Sequence, residues 1–531
     1  MQLLCGVFDL ISCNYSDDSE NVYSYCTEDA NIYILGNVRI NESTNSGEDI
    51  LQAYRRHGTD LTNSLRGLYI LVIYDKVLKA VSVFQDRTTS PLTLYYSVYK
   101  DKLFLSTSIK KILLKSDMER CFNDAVLPVF LINGFIYGKD TLIKGIYKIE
   151  SFHMLQCSEK RISQIPVTYN LKTMSKGEAV DSWTSVLNSS IQNCIDNNKE
   201  INMPLSGGFD SNYIAYVIDT FQNLPINAFS IGGKFGKNEL PVVSENVNYY
   251  KNVTLFSALT DNKTLQNMPD IVWRLEGAVF ESGLFLQYAL SKLVNEQEKH
   301  TLICGECADQ VMNIYYLNEN RIHPEKQNNK PLYYEFSEYP YIFGSYLILK
   351  KNGIIANSFD ITTSYPYLDD DFVAIAFALR NINFKDKRVH NAICRESLPE
   401  QVYKNISKVG GSTECHSLFN STQDIKTFFS RIESNHFYKK HNLVITECSA
   451  AHKEEQHGLQ KTKTIIRNRL LNMLRIDRQE RLAGQYYLEE LKLKEYLCIL
   501  YLILFEELFL SGKYDKQMKD NIFQEKLDEL F

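Results

Sequence analysis

The segment INMPLSGGFDSNYIAYV, residues 201–217, decides how the chain is interpreted. A short apolar run with Ile201, Met203 and Leu205 meets the polar residues 206–211, and apolar residues at helical spacing follow. This pattern predicts a strand, a tight loop and a helix. Two successive glycines let a backbone close around an anion, and the start of a helix presents amide donors and its positive dipole end there. The segment therefore predicts a phosphate-binding loop.

The polar side chains of the loop indicate the form of that phosphate. Ser206 and Ser211 add hydroxyl donors, whereas the carboxylate of Asp210 beside a phosphate implies a divalent cation between them. The glycines are not followed by Gly-Lys-Ser/Thr, so this is not a Walker A loop. A glycine turn capped by serine is the purely structural alternative.

The loop resembles the SGGxDS pyrophosphate loop of ATP pyrophosphatases, which release pyrophosphate and leave AMP on the substrate. That resemblance implies Mg²⁺ and ATP as cofactors. The residues that it assigns to ATP are Leu205, Ser206, Gly207, Gly208, Asp210 and Ser211.

Composition limits the class of protein. The 531 residues are too many for one core and predict two or three domains. With 44% hydrophobic and 23% charged residues, the composition is that of a soluble globular protein, and a net charge of -6 gives no reason to expect nucleic acid as a partner.

Targeting and redox signals favour a cytoplasmic protein. The start MQLLCGVFDLISCNYSDDSE has no basic region or cleavage site, and the longest apolar run, 496–505, is shorter than the ~20 residues of a membrane span. The 12 cysteines form no dense framework, so free thiols are expected. Cys304 and Cys307 form a CxxC, but a zinc site needs a second ligand pair.

Residues 31–114 alternate short apolar runs with polar turns, which predicts a β-rich layer with one helix at about 48–58. MQLLCGVFD, LRGLYILVIYD, FQDRTTSPLTLYY and LFLSTSIKKIL resemble the N-terminal glutaminase domain of glutamine-dependent asparagine synthetases. The resemblance covers residues 1–155 and implies an α+β domain of the N-terminal-nucleophile (Ntn) type.

The resemblance is missing at the residues that glutamine hydrolysis requires. In that family the nucleophile is a cysteine directly after the initiator methionine, whose free α-amine is the base. Here Gln2 holds that place, and Cys5 aligns with a structural position. The glutamine-binding Arg-x-Arg-Gly-Pro-Asp stretch has no counterpart, and Gly36-Asn37-Val38 replaces Asn-Gly-Glu. We expect no glutamine hydrolysis and a domain that is structural or binds a partner.

Residues 156–180 are predicted to form a polar connector, and residues 181–420 to form an ATP-pyrophosphatase domain with a doubly wound parallel sheet. A helix is expected at 180–196, a strand at 226–233, helical structure over 269–294, and a strand that leads into a polar loop at 301–311. In the resembled family the 226–233 strand ends at the adenine, which assigns Ser230, Ile231 and Gly232 to ATP binding.

The segment GECADQ, residues 305–310, resembles the Gly-Glu-Gly-x-Asp-Glu motif of the synthetase domain. The resemblance assigns Gly305 to ATP, Asp309 to magnesium beside Asp210, and Glu306 to general base catalysis. Carboxylates from two strand ends that meet over one phosphate chain are geometrically reasonable in an open α/β sheet. Singly, each acid is more often a solvated surface group.

The last third of the chain carries one further motif. Residues 312–357 suggest an irregular insertion that covers the active site or is a surface loop. Residues 359–379 and 391–414 resemble later family segments, and the second places Lys408 as the catalytic lysine. Residues 421–531 predict a helical C-terminal extension. Its basic residues are a solvated helix face or a contact with an acidic partner: Lys461, Lys463, Arg467, Arg469, Arg475, Arg478 and Arg481.

The combined interpretation is an ATP-dependent, AMP-forming carbon–nitrogen ligase. Because the glutaminase nucleophile is missing, the amine is expected to belong to the substrate, as in β-lactam synthetases and lasso-peptide cyclases. The cyclase is favoured, with a precursor peptide as substrate and a leader-peptide-binding protein and a protease as partners. An asparagine synthetase-like or β-lactam synthetase-like small-molecule ligase is the enzymatic alternative. A catalytically decayed binding protein is the non-enzymatic one.

Overall fold

The structure is a computed structural model of the chain. It describes residues 3–40, 43–44, 46–86, 92–136, 138–159, 161–167, 173–195, 200–233, 238–260, 262–311, 340–379, 396, 398–406, 415–441, 478–521 and 523–527.

The first domain is built from two antiparallel sheets, a small third sheet and three helices. The strands are β1 Cys5–Asp9, β2 Tyr15–Asp17, β3 Tyr23–Cys26, β4 Ala30–Gly36, β5 Arg39–Ile40, β6 Ser43–Thr44, β7 Leu65–Arg66, β8 Tyr69–Asp75, β9 Ala80–Gln85, β10 Tyr95–Tyr99, β11 Lys102–Ser106, β12 Ile146–Lys148, β13 His153–Ser158 and β14 Arg161–Pro166. The helices are α1 Gly47–His57, α2 Ile109–Ser116 and α3 Leu127–Asn133.

Strand alternation lets the two large sheets share a core. One sheet has the order β12-β10-β11-β1-β2 and the other the order β14-β13-β9-β8-β4-β3. Phe8 and Leu105 of the first sheet pack against Ile70 and Val72 of the second. Helix α1 covers the outer face of the second sheet, and α2 covers that of the first. The sheets and helices form four layers; the β-rich character of the domain and its helix, found at 47–57, agree with the prediction from the sequence.

The first domain extends further than the sequence suggests. Strands β13 and β14 form a hairpin in which His153 pairs with Pro166 and Ser158 with Arg161. Strand β13 also pairs with β9, so the hairpin belongs to the second large sheet. The connector therefore begins after Pro166 and not at residue 156, because the polar residues of this edge hairpin resemble those of a linker.

The second domain contains five parallel strands: β15 Ile201–Pro204, β16 Ile226–Gly233, β17 Val253–Thr260, β18 Thr301–Ile303 and β19 Thr362–Ser364. They pair in the orders β15-β16-β17 and β18-β19. Strand β18 lies beside β15, where Asn202 Nδ2 donates to Thr301 Oγ1 over 3.4 Å. The parallel pairing and the 226–233 strand agree with the prediction, and the loop after β15 lies at the carboxyl end of its strand.

The described helices after the first domain are α4 Lys176–Ile195, α5 Phe209–Val217, α6 Leu240–Asn246, α7 Asn262–Gln266, α8 Met268–Leu275, α9 Leu284–Glu296, α10 Ala308–Val311, α11 Pro340–Ser358, α12 Asp370–Leu379, α13 Glu400–Asn405, α14 Thr422–Ser434, α15 Arg478–Phe505 and α16 Asp515–Asp520. Their apolar side chains form two large cores, one around the parallel strands and one around α15.

The stretch 269–294 is helical as predicted and forms two helices, because Glu276 ends α8 in a left-handed conformation with φ 51°. Two other local predictions are corrected. The segment after β18 turns into α10 and does not stay a loop. Within 312–357, residues from 340 onward belong to α11, where Leu349 and Ile355 are buried. Residues 315–336 lie outside the described residues.

Helix α15 joins the two domains. Its aromatic side chains pack against both of them: Tyr501 lies 5.7 Å from Phe130 of α3, and the Gly277 amide after α8 donates to the Tyr501 hydroxyl over 3.2 Å. Phe505 meets Phe122 at 5.8 Å. The predicted C-terminal extension is thus part of the central core. No helix among the described residues has the length and apolarity to cross a bilayer.

Candidate functional site

The loop 206–208 joins β15 to α5 as the sequence predicts. Ser206 is exposed, whereas Gly207, Gly208 and Ser211 are buried. The hydroxyls of Ser206 and Ser211 lie 3.0 Å apart, and the Ser206 amide donates to Ser211 Oγ over 3.1 Å. Gly208 precedes the helix in an extended conformation, and a Cβ there would meet only Ser206 Oγ, at 3.4 Å. The loop is compact and its shape depends on both serines.

The loop amides have protein acceptors. Gly207 N donates to Glu239 Oε2 over 2.9 Å, and Gly208 N donates to Ser206 Oγ over 3.2 Å. Asn212 ties the loop from the helix side, because its Nδ2 donates to the carbonyls of Ser206 and Gly208 over 2.8 and 2.7 Å. The sequence predicted amides that point at a phosphate. The Glu239 carboxylate, itself an anion, lies at that position.

The end of β18 approaches the start of α5 closely. A Cβ on Gly305 would lie 3.0 Å from Ser211 N and 3.3 Å from Asp210 C, so glycine is required there. Two residues on, Cys307 has φ 73°, a backbone conformation that glycine adopts easily and other residues rarely do. The GECADQ turn therefore keeps a glycine-type backbone although cysteine replaces the second glycine of the resembled motif.

The turn after a third strand, β19, contacts the same helix, α5. The Tyr367 hydroxyl, in the turn Pro366–Leu368 after β19, donates to the Asp210 carbonyl over 3.2 Å. The ends of β15, β18 and β19 thus meet around the first turn of α5. This is the edge at which open parallel sheets bind ligands.

The carboxylate of Glu306 is enclosed beside this edge. Asn352 Nδ2 of α11 donates to Glu306 Oε1 over 3.1 Å, and Glu306 Oε2 accepts no hydrogen bond from the described residues. Burial raises the pKa of Glu306, although Lys351 and Asn352 oppose this. A carboxyl group with a raised pKa and an open acceptor suits proton transfer.

The structure describes some of the remaining predicted site residues but not all of them. Ser230, Ile231 and Gly232 lie at the carboxyl end of β16, and Leu205 follows β15. Asp309 lies in α10, but its side chain is not described. Lys408 lies outside the described residues, as do the basic residues between 461 and 475. Among the described side chains, no group of three or more His, Cys, Asp or Glu residues could hold a metal ion.

Cys5 is a poor nucleophile in this structure. It lies within β1 opposite Ser106, is 2% exposed, and its amide donates to Ser19 Oγ over 3.0 Å. Burial raises the pKa of its thiol, which Lys115 only partly offsets. Its backbone nitrogen is an amide in a strand, so it cannot act as a base.

Two residues near the site were not predicted. Glu239 comes directly before α6, and its signal in the sequence is a carboxylate ahead of a Leu-Pro helix start after β16. Asn352 lies within an apolar helix and is 5% exposed. A polar residue in an apolar helical run is a signal for a buried hydrogen bond, but not for its partner.

Comparison with known proteins agrees with this architecture. Residues 34–169 match the family model of the glutamine amidotransferase domain, and residues 182–341 match that of asparagine synthase. The chain therefore resembles the asparagine synthase family over residues 182–341 and carries an amidotransferase-like domain ahead of that segment.

Individual relatives are distant. Glutamine-hydrolysing asparagine synthetase 1 of Bacillus subtilis (strain 168) is 22% identical over 51% of this chain and 44% of its own length. Asparagine synthetase 3 of the same organism is 22% identical over 57% and 53%. The chain thus spans about half the length of the curated relatives it matches. The U34-tRNA thiolase NcsA of Methanococcus maripaludis covers 43% of this chain and 78% of its own at 12% identity and a TM-score of 0.22, which supports no inference.

Proposed function

We propose that the chain is an AMP-forming amide ligase that activates a carboxylate as an acyl-adenylate and transfers the acyl group to an amine. The observation that carries the proposal is the contact of Gly305 with the first turn of α5. It sets the loop 206–211 and the GECADQ turn side by side. A nucleotide and an acyl group could therefore be held at one sheet edge.

Each group of residues has a distinct role in this proposal. The loop amides and the two serine hydroxyls bind the phosphates, which requires an incoming phosphate oxygen to replace Glu239 at Gly207 N. Residues 230–232 border the adenine. Glu306 takes a proton from the attacking amine, and Lys408 stabilises the negative charge that develops on the acyl group.

Magnesium fits the donors that are present. Asp210 lies in the first turn of α5, and Asp309, whose side chain is not described, lies in α10; we propose these two carboxylates as its ligands. Hard oxygen donors of this kind suit Mg²⁺, which also keeps ligands from substrate phosphates. When bound, the ion would neutralise charge on the pyrophosphate.

The amine source defines the finer proposal. The buried Cys5 supports a nucleophile other than ammonia from glutamine, so we propose a substrate amine and ring closure between a peptide's N-terminal amine and an Asp or Glu side chain, as in lasso-peptide cyclases. Formation of asparagine from aspartate and free ammonia is the second candidate, favoured by the synthetase relatives.

Exchange of labelled pyrophosphate into ATP tests adenylation. We expect exchange that depends on a carboxylate, with L-aspartate and an Asp-containing peptide tested separately, and mass loss of one water from the peptide if a ring closes. Asp210→Asn should abolish exchange, whereas Asp181→Asn, an exposed carboxylate on α4, should not. Absence of exchange with both carboxylates would favour a binding protein, and asparagine from aspartate and ammonia would favour the second candidate.

A further inference from the structure

A cavity of about 820 Å³ lies between the two domains. The first domain contributes the loops around β5 and β7, where Gly36 and Gly67, both with positive φ, let the backbones pack closely. The second contributes α4, α11, β19 and the start of α12. Cavities of this size bury ligands larger than a single amino acid, and domain interfaces are frequent places for them.

The wall of the cavity is polar. Amide and hydroxyl side chains can both donate and accept hydrogen bonds, as successive peptide groups require. Residues of this kind along the wall include Asn37, Ser189, Asn193, Asn357, Thr362 and Ser364.

The charges are unevenly distributed over this wall. Arg66 Nε pairs with Asp370 Oδ2 over 2.9 Å. Asp369 and Asp371 flank Asp370 in the sequence, and Arg39 is the one further cation in the part of the wall that the structure describes. Burial, and then the charges of Asp371 and Asp370, raise the pKa of Asp369. This acidic corner would be stabilised by a cation.

The cavity wall includes residues that lie next to the surroundings of Glu306. Tyr365 lines it, is 4% exposed, and its hydroxyl makes no hydrogen bond of normal geometry with the described residues. Burial, and then the nearby Cys304 and Glu306, raise the pKa of Tyr365. Gly353 in the cavity wall directly follows Asn352, which binds Glu306.

We propose that the interdomain cavity binds the amino-terminal segment of a peptide substrate, with the α-ammonium group at Asp369 and Asp371. The inference rests on the proposed function, which needs a substrate amine near Glu306. It gives the first domain a role in substrate binding in place of glutamine hydrolysis.

A binding experiment without ATP separates this inference from ligase activity. The peptide amide Gly-Ser-Gly-Ser and its N-acetylated form are titrated into the full chain by calorimetry. Loss of a charge-assisted hydrogen bond predicts at least about ten-fold weaker binding of the acetylated form. Asn193→Trp should fill the cavity and remove binding, whereas Gln192→Trp, the exposed neighbour outside the cavity wall, should not.

A second variant tests the acidic corner. The double change Asp369→Asn and Asp371→Asn keeps side chains that accept hydrogen bonds, and it should reduce binding of the free peptide to that of the acetylated one. Asp181→Asn is the control, and thermal melting confirms folding. Equal binding of the two peptides, no binding to the unaltered chain, or binding insensitive to Asn193→Trp would each overturn the inference. Absent pyrophosphate exchange with peptide binding retained would overturn the ligase proposal alone.

Discussion

Glu306 has the environment of a residue that exchanges a proton. Its pKa is raised by burial, so the base form is reached at higher pH than for an exposed glutamate. We expect the rate of amide formation to rise with pH through this raised pKa. The rate of pyrophosphate exchange should not show the same rise.

Glu306→Gln keeps the hydrogen bond from Asn352 and removes the base, so it should lower amide formation by about 100-fold or more and spare exchange. Parallel pH profiles of the two half-reactions in both proteins measure this. An unchanged amide-forming profile in Glu306→Gln would exclude the general-base role.

Lys408 is assigned from its position in the sequence and lies outside the described residues. Lys408→Ala should leave ATP affinity nearly unchanged and lower turnover by ~100- to 1000-fold, the effect of losing one charge-stabilising donor. Lys404→Ala is a matched control, because Lys404 forms an exposed pair with Glu400 one turn earlier. A parallel loss of ATP affinity would instead make Lys408 a nucleotide-binding residue.

At the scale of elements, strand β1 determines whether the first domain can hydrolyse glutamine. It lies between β11 and β2, and the Cys5 amide donates to the Ser19 hydroxyl just after β2. We expect no glutamate release from glutamine, because a nucleophile without a free amine beside it lacks its base. Glutamate is assayed in the unaltered chain and in Cys5→Ala. Glutamate release that is lost in Cys5→Ala would show that the protein is an amidotransferase that uses Cys5.

Elements with a local pattern were predictable from the sequence, and those defined by distant partners were not. The β15–loop–α5 unit and helix α1 follow from the local spacing of apolar residues and, in the loop, from its glycines. The β13–β14 hairpin, by contrast, is a polar edge whose pairing with β9 has no local signal. Likewise, the Glu239–Gly207 hydrogen bond joins residues that only the fold brings together.

At the scale of the whole molecule, the domain interface contains buried ionisable groups. Glu276, at the end of α8, accepts hydrogen bonds from Ser108 Oγ over 2.8 Å and from Lys110 Nζ over 3.2 Å. Burial lowers the pKa of Lys148 to about 7, assisted by the charge of Lys350. Burial also lowers the pKa of Lys350 to about 8. None of this interface was predictable from the sequence, because each lysine alone resembles a surface residue.

These lysines make stability depend on pH. As pH rises from 7 to 8.5 Lys148 loses its proton in the folded state, where its pKa is about 7, whereas the unfolded chain keeps it protonated, so the lysine's contribution to stability rises with pH. The free energy of unfolding of the native chain, relative to Lys148→Met, should increase by up to about 1.4 kcal/mol per pH unit in this window. Urea titrations of both proteins at pH 7 and 8.5 measure it. A constant difference would show that Lys148 stays charged on folding.

Helix α15 also determines when the protein can finish folding. The apolar side chains of α3 and α8 pack on this helix, yet it is synthesised after all the described strands have left the ribosome. The packing of both domains around α15 is therefore completed late, unlike that of domains that fold one after the other. Until this helix has been synthesised, the nascent chain exposes the apolar surface that the helix later covers, and chaperones bind surfaces of that kind.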